Sequence, residues 1–295
     1  MTRLLPHRGH QERIETIGNR SLGSRIGGVL LNLMIFLFSL SCIFPMIWIG
    51  YSSLKTQAEF ARSIITLPTK PIFVNYTDAF AQSHMGVYML NSLRNTVISV
   101  FFIMMIAFVT GYFLSRFTFI GRNLVYGFLM FGMLIPIHAL LIPIYIQFNS
   151  AGIDNQWYTL LLPYITFGLP IATFLVESHV GTIPRELEEA ASIDGSSFSR
   201  TLFQIIAPMC LPILTTVAII SFFSTWNEFA FALVLIKDDN LRTVPIGLTF
   251  FKAQYTTDYP RLMAAIVIAM SPVMILYFTF SQRISQGMTA GAIKG

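Results

Sequence analysis

The chain has 295 residues, of which 54% are hydrophobic and only 11% are charged, with a mean hydropathy of +0.66. Soluble domains carry roughly a quarter charged residues. This composition therefore excludes a soluble globular enzyme, a disordered protein and a coiled coil, and it indicates several membrane spans. The formal net charge of +5 is too thinly spread to predict nucleic-acid binding, and it is more typical of the loop charges that set membrane topology.

Six stretches are long and apolar enough to cross a bilayer, because a spanning helix needs about 20 residues. They are predicted at 26–50, 92–114, 124–148, 159–177, 209–236 and 262–281. The first follows a polar, arginine-containing stretch instead of a signal peptide, so we expect it to remain in the membrane as an anchor. Cys42 and Cys210 both lie in apolar runs and are predicted to be small buried side chains, not a disulfide or metal pair.

The charges of the loops predict the orientation. Placing the amino terminus in the cytoplasm gives eleven Lys and Arg inside and eight outside. The margin is narrow, and the five arginines of residues 1–25 decide it. Because the number of spans is even, both termini are predicted to be cytoplasmic.

The predicted organisation has four parts. A cytoplasmic amino-terminal tail covers 1–25, and the first transmembrane helix with its extracellular loop covers 26–91. Five further helices form a core over 92–281, which contains a long cytoplasmic segment at 181–208. A cytoplasmic tail at 282–295 closes the chain, and no internal repeat is visible.

The 181–208 segment has the pattern of two helices joined by an elbow. Pro184 suits a first helical turn, and three glutamates follow it at the positive end of the helix dipole. Ala190 and Ala191 allow close approach of another surface, and Gly195 is a natural stop before a second, amphipathic helix. An alternative is a connector lying on lipid headgroups. Its acidic residues would clash with an anionic leaflet, so a docking face for a cytosolic protein fits better.

This segment resembles the EAA signature of the permease subunits of binding-protein-dependent ABC importers. The matching residues are Glu189, Ala190, Ala191, Gly195, Ile205 and Pro208. Ala207 stands where leucine is usual. The closing residues 287–295 resemble the sugar-importing subgroup, especially its maltose-type second permease, and the likeness extends over roughly 91–295.

The resemblance implies a type I importer permease fold in which the elbow fits a cleft on a separate ATPase. Closure of two ATPase subunits around ATP would then swing the permeases between inward-facing and outward-facing states. The residues expected to couple to the ATPase are Glu189, Ala190, Ala191, Asp194 and Gly195. No cofactor is expected on this chain itself, since ATP and Mg would be held by the ATPase subunits.

The resemblance also implies a set of partners and a location. The expected partners are a second, related permease, two ATP-binding cassette ATPase subunits, an extracytoplasmic solute-binding protein, a sugar substrate and membrane lipid. The expected location is the bacterial cytoplasmic membrane, as a multi-pass protein.

No catalytic grouping is visible in the sequence. There is no G-x-x-x-x-G-K-[ST] loop and no H-E-x-x-H motif, and the five histidines have no metal-binding spacing. The chain is therefore interpreted as a transport subunit and not an enzyme.

Polar residues inside predicted spans are the remaining candidates, because such residues are costly in lipid. Trp226, Asn227 and Glu228 lie in the fifth span, where an indole can stack on a sugar and an amide or carboxylate can bind hydroxyls. Alternatively, Glu228 pairs with a neighbouring helix or lies near the outer interface. His138, between Pro136 and Pro143, either lines the pathway or caps a carbonyl freed by a proline bend.

Two alternative functions remain open at this point. A permease for a peptide, an amino acid or another solute of the same family differs only in cargo, and the carboxyl-terminal resemblance argues against it. An ion-coupled secondary carrier would need buried ionisable residues in several helices and usually a repeat. In this sequence only Glu228 qualifies as such an ionisable residue, and no repeat is visible.

Overall fold

The computed structural model describes residues 22–82, 84–251 and 258–292, and the regular elements within those ranges are all helical. The helices are α1 (Leu22–Ser52), α2 (Gln57–Arg62), α3 (Val74–Gln82), α4 (Met85–Arg116), α5 (Arg122–Gly132), α6 (Leu141–Ala151), α7 (Leu161–Val180), α8 (Glu186–Ile193), α9 (Phe198–Met209), α10 (Leu211–Trp226), α11 (Ala230–Leu235), α12 (Val244–Gly247) and α13 (Tyr259–Ala292). A 3-10 turn precedes α6, and α9 contains a π-helical stretch.

Four of these helices, α1, α4, α7 and α13, are long and apolar enough to cross a membrane unbroken. Two bent pairs complete the set, with α5 and α6 meeting at 92° and α9 and α10 at 71°. Counting each pair as one span gives six, which is the predicted number. The protein is thus an all-α, multi-pass membrane protein.

Several predicted boundaries were wrong, and prolines or polar side chains explain most of the differences. The third span is not one helix, because Pro136 lacks an N–H and disfavours helix in the preceding residue. The fifth span does not continue to 236, because α10 ends at Trp226 and α11 starts only at Ala230. Helix α13 runs past 281 to Ala292, into the predicted tail. Residues 1–21 and 293–295 of the predicted tails lie outside the described residues.

The second span begins at Met85 and not at 92. The polar residues that suggested a loop are hydrogen-bonded within the helix bundle. The Asn91 amide donates to the Asn240 and Arg242 carbonyls at 2.7 and 3.0 Å, and the Ser92 hydroxyl accepts from the Val244 N–H at 2.9 Å. These bonds hold the segment before α12 against the start of α4.

The core forms where α4 packs against α7, with α9 and α10 alongside. Gly111 makes this approach possible, since a Cβ there would lie 2.9 Å from the backbone nitrogen of Glu177. By contrast, the span of α1 is not buried by the rest of the chain, as expected for a helix facing lipid. Cys210 is buried as predicted, whereas Cys42 on α1 is exposed, so that prediction was wrong.

Candidate functional site

The predicted elbow is present, and its turn is defined by backbone geometry. Helix α8 ends where Gly195 adopts a left-handed conformation with φ of 75°. The Gly195 N–H donates to the Ser192 carbonyl at 3.0 Å, and the Ser196 N–H donates to the Ala191 carbonyl at 2.9 Å. This is the pair of bonds of a Schellman motif, which explains why glycine is needed there. Ser197 starts α9 in extended backbone, without a side-chain cap.

Glu188 ties this elbow to the end of α4. Its carboxylate accepts from the Tyr112 hydroxyl at 2.8 Å and from Arg116 Nε at 2.5 Å. Arg116 also donates to the Ile183 carbonyl at 2.8 Å, ahead of α8. The Arg116 and Glu188 side chains are only 6% and 20% exposed, so solvent screens the pair weakly. These three hydrogen bonds fix the elbow to the end of α4.

A second ion pair holds the same end of the molecule. Arg122, at the start of α5, lies 3.6 Å from the Glu177 carboxylate near the end of α7. Its Nε donates to the Leu114 carbonyl on α4 at 2.7 Å. Three spanning helices are thereby linked next to the elbow.

The five predicted coupling residues divide into an exposed set and an inward-facing one. Glu189, Ala190 and Asp194 are exposed, as is Gly195 at the turn. Ala191 is buried against the bundle. The sequence did not single out Glu188 as a brace, nor Ile193, whose side chain is 86% exposed beside this acidic face. The exposed part of α8 therefore combines carboxylates, a small residue and one apolar side chain.

Glu228 lies in the break between α10 and α11 and caps the second of these helices. Its carboxylate accepts from the backbone N–H groups of Phe231 and Ala232 at 2.7 and 3.2 Å. The Tyr164 hydroxyl of α7 donates to it at 3.0 Å. The same carboxylate borders a cavity of about 70 Å³ lined mainly by α7 and α10. This geometry matches the alternative in which Glu228 pairs with a neighbouring helix.

The residues beside Glu228 differ in exposure. Trp226 is buried, stacks on Phe222 at 5.6 Å between ring centroids, and donates from Nε1 to the Ala269 carbonyl at 3.2 Å. In this conformation its indole face is not available for stacking on a sugar. Asn227 is exposed, and its amide donates to the Phe223 carbonyl at 2.9 Å, which leaves its side-chain oxygen accessible.

His138 occupies the 3-10 turn between α5 and α6 and is exposed. Within the described residues its ring makes no hydrogen bond, so it does not cap a carbonyl at the proline bend. The bend itself opens an apolar groove of about 480 Å³ between α5–α6 and α7. Its lining includes Phe128, Phe131, Ile144, Leu162, Phe167 and Pro170.

These features define a class of protein: a polytopic membrane subunit with bent spans and a braced, acidic elbow at one end of its bundle. Residues 103–290 match the family described as "Binding-protein-dependent transport system inner membrane component". The chain belongs to that family of membrane transport components.

Relatives and a solved structure agree with this assignment. The chain is 34% identical over 254 residues to the sulfoquinovosyl glycerol transport system permease protein SmoH of Agrobacterium fabrum, covering 86% of this chain and 89% of that protein. It is 31% identical over 270 residues to the trehalose/maltose transport system permease protein MalG of Thermococcus litoralis, covering 90% and 97%.

The fold resembles a chain in the crystal structure of a bacterial ABC transporter involved in the import of the acidic polysaccharide alginate. The TM-score is 0.80 at 21% identity, and the match covers 90% of this chain and 98% of that chain. At this identity the likeness concerns the fold alone.

Proposed function

We propose that this chain is the membrane-spanning permease subunit of an ATP-driven ABC importer that carries a sugar or oligosaccharide into the cytoplasm by alternating access. The family assignment supports the transport role and dependence on a binding protein. The names of the relatives, which are permeases for sugar-containing solutes, support the cargo class.

The observation that carries the coupling role is the braced elbow. Its exposed carboxylates, Glu189 and Asp194, can accept charge-assisted hydrogen bonds from a basic or amide-lined socket. Glu188 connects it to α4, so a force applied to the elbow reaches a spanning helix directly. The socket belongs to a separate ATPase, which binds ATP and Mg; this chain moves the solute and does not hydrolyse the nucleotide.

The proposed orientation has both termini and α8 in the cytoplasm. The elbow packs at the carboxyl end of α4. The loop after α1 packs at the opposite end of the bundle, where Arg261 pairs with Asp78 at 3.0 Å. Helix α1 therefore starts on the side of the membrane that carries α8, next to the arginine-rich amino terminus.

The remaining partners are proposed from the family assignment. A second, related permease covers the exposed apolar groove beside α7, and two ATPase subunits each take one elbow. An extracytoplasmic binding protein delivers the solute to the opposite end. Asn227, Glu228 and His138 are the proposed pathway residues of this chain, and buried Trp226 holds the end of α10 against α13.

The coupling proposal is tested at Gly195 and Ala190. Gly195→Pro is incompatible with the observed φ and removes the N–H bonded to Ser192, whereas Gly195→Asn tolerates left-handed backbone and serves as the matched control. Ala190→Trp is likewise paired with Ala190→Ser. We expect the proline and tryptophan variants to reach the membrane but to lose ATPase co-purification and solute uptake. Normal uptake in both would refute the coupling role.

The cargo and the energy source need separate assays. Uptake is measured over sugars, peptides and amino acids, with either ATP depletion or collapse of the proton gradient. We expect sugar uptake that fails without ATP and survives loss of the gradient. Selective uptake of a peptide or amino acid would favour the other permease class, and dependence on the gradient would favour a secondary carrier.

A further inference from the structure

A short turn between α2 and α3 presents apolar side chains to the surroundings. We define the 63–67 segment as Ser63, Ile64, Ile65, Thr66 and Leu67. Ile64, Ile65 and Leu67 are 54%, 66% and 71% exposed. Such a cluster on a loop is unusual for a surface in water.

Hydrogen bonds to α1 fix the position of this segment along the axis of that helix. Trp48 Nε1 donates to the Ile64 carbonyl at 2.8 Å, and the Tyr51 hydroxyl donates to the Ile65 carbonyl at 2.6 Å. Trp48 lies one turn before the end of α1, so the chain returns about 6 Å toward the membrane. Tryptophan and tyrosine are the residues that mark the membrane–water interface.

The length of α1 agrees with this depth. Its 31 residues span about 46 Å, whereas the hydrocarbon layer is about 30 Å thick. The last turns of the helix therefore pass through the interfacial zone, and the 63–67 segment lies beside them. Ile47 and Phe44, on the preceding turns of α1, are themselves exposed, as expected for a helix that faces lipid.

Buried Lys55 binds two carbonyls at the start of the segment. Its side chain has no exposed surface, and Nζ donates to the Ser63 and Ile64 carbonyls at 3.1 and 3.3 Å. Desolvation lowers the pKa of this lysine, and the charge of Glu59 opposes that shift. Irregular backbone is tolerated within hydrocarbon only when its polar groups are satisfied by the protein. The protein satisfies the Ser63, Ile64 and Ile65 carbonyls, so the backbone of the segment is placed at headgroup level, where water reaches its other polar groups, and only its side chains point deeper.

Further contacts hold Lys55 and the 63–67 segment in place. The Asn75 amide donates to the Ser53 and Lys55 carbonyls at 2.7 and 2.9 Å. Phe60 stacks on Tyr259 of α13 with ring centroids 5.3 Å apart. These contacts within the protein therefore hold the segment in position.

We propose that the 63–67 segment is a membrane-inserted tip, whose Ile64, Ile65 and Leu67 side chains enter the leaflet at the carboxyl end of α1. Its occupant is lipid at the boundary between headgroups and acyl chains, where apolar side chains of peripheral segments insert about 5–10 Å. The tip fixes the vertical position of α1 and of the loop that follows it. This role is independent of the transported solute.

Spin-label accessibility tests the proposal in the assembled transporter, reconstituted in phospholipid nanodiscs. The label is attached at Ile65→Cys in a background of Cys42→Ser and Cys210→Ala. Lys70→Cys, exposed in the same loop, is the matched control. We expect the label at 65 to be accessible to oxygen and shielded from the water-soluble nickel reagent NiEDDA, with the opposite pattern at 70. Accessibility to NiEDDA at 65 would overturn the proposal, as would shielding from both reagents, which indicates a protein partner.

The hydrogen bonds of Lys55 and Tyr51 to the segment are tested with the same label at 65. Lys55→Met keeps an unbranched side chain, one atom shorter, but removes both hydrogen bonds, so NiEDDA accessibility at 65 should rise severalfold while that at 70 stays constant. Tyr51→Phe removes one bond without a change of shape and should give a smaller rise. Unchanged NiEDDA accessibility at 65 in both variants would contradict the role of these hydrogen bonds.

Discussion

Two carboxylates at opposite positions in the bundle stabilise helix junctions by different means. Glu188 joins the elbow to α4 through the Arg116 guanidinium and the Tyr112 hydroxyl. Glu228 joins α11 to α7 through the Tyr164 hydroxyl and two backbone N–H groups, and the described residues give it no ion pair. The first junction joins the elbow to a spanning helix through a nearly buried ion pair, whereas the second holds the broken span through a helix cap and one hydroxyl.

Glu188→Ala is expected to have the largest effect. It leaves Arg116 charged, nearly buried and paired only with a carbonyl, which costs about 3 kcal/mol of stability. We expect uptake to fall more steeply than ATPase binding, because the elbow still docks but no longer moves α4. Thermal unfolding in detergent, uptake and co-purification measure the three quantities.

The control for that variant removes both charges together. Glu188→Gln with Arg116→Gln should be more stable than Glu188→Ala, since no unpaired charge remains. If the single and double variants were equally impaired, the pairing would not be the cause.

Glu228→Ala is expected to destabilise the protein by about 2 kcal/mol, because it leaves a hydroxyl and two N–H groups unsatisfied. The unfolding temperature should fall, and ATPase co-purification should be retained. Glu228→Gln keeps an acceptor oxygen and should lose less. Loss of ATPase binding in either variant would show that this junction is also part of the coupling route.

Tyr164→Phe removes only one hydrogen bond to Glu228 and should cost about 1 kcal/mol. Because α11 keeps its cap, the shift in unfolding temperature should be smaller than that of Glu228→Ala. A shift as large as that of Glu228→Ala would mean that the hydroxyl, and not the helix cap, dominates the junction.

The pair of Lys237 and Asp154 is expected to give the smallest effect. Its atoms lie 2.9 Å apart, but the lysine side chain is half exposed. The hydrogen bond to Asp154 raises the pKa of Lys237, so the lysine carries its charge at pH 7. We expect no measurable change in unfolding temperature between Lys237→Ala and the parent protein at pH 7. A clear loss would show that this junction is braced like that of Glu188.

The sequence predicted the features that depend on local patterns. Apolar length predicted six spans, and the need for left-handed backbone predicted the stop at Gly195. The breaks near Pro136 and after Trp226 were harder to place, because an apolar run looks the same in a straight and in a broken helix. The role of Glu188 was missed, since no local spacing relates it to Arg116 or to its other partners. The same limit applies to Trp226, which is buried by packing against α13, a helix distant in the sequence.

The most direct test of the account is a crosslink from the elbow. Ala190→Cys, in a background of Cys42→Ser and Cys210→Ala, is treated with a short bifunctional thiol reagent in membranes that contain the whole transporter, while an impermeant maleimide is applied from outside. We predict an adduct with a cytosolic ATPase subunit and no labelling by the maleimide until the membrane is opened. Labelling from outside, or no adduct with an ATPase while uptake is intact, would contradict the account.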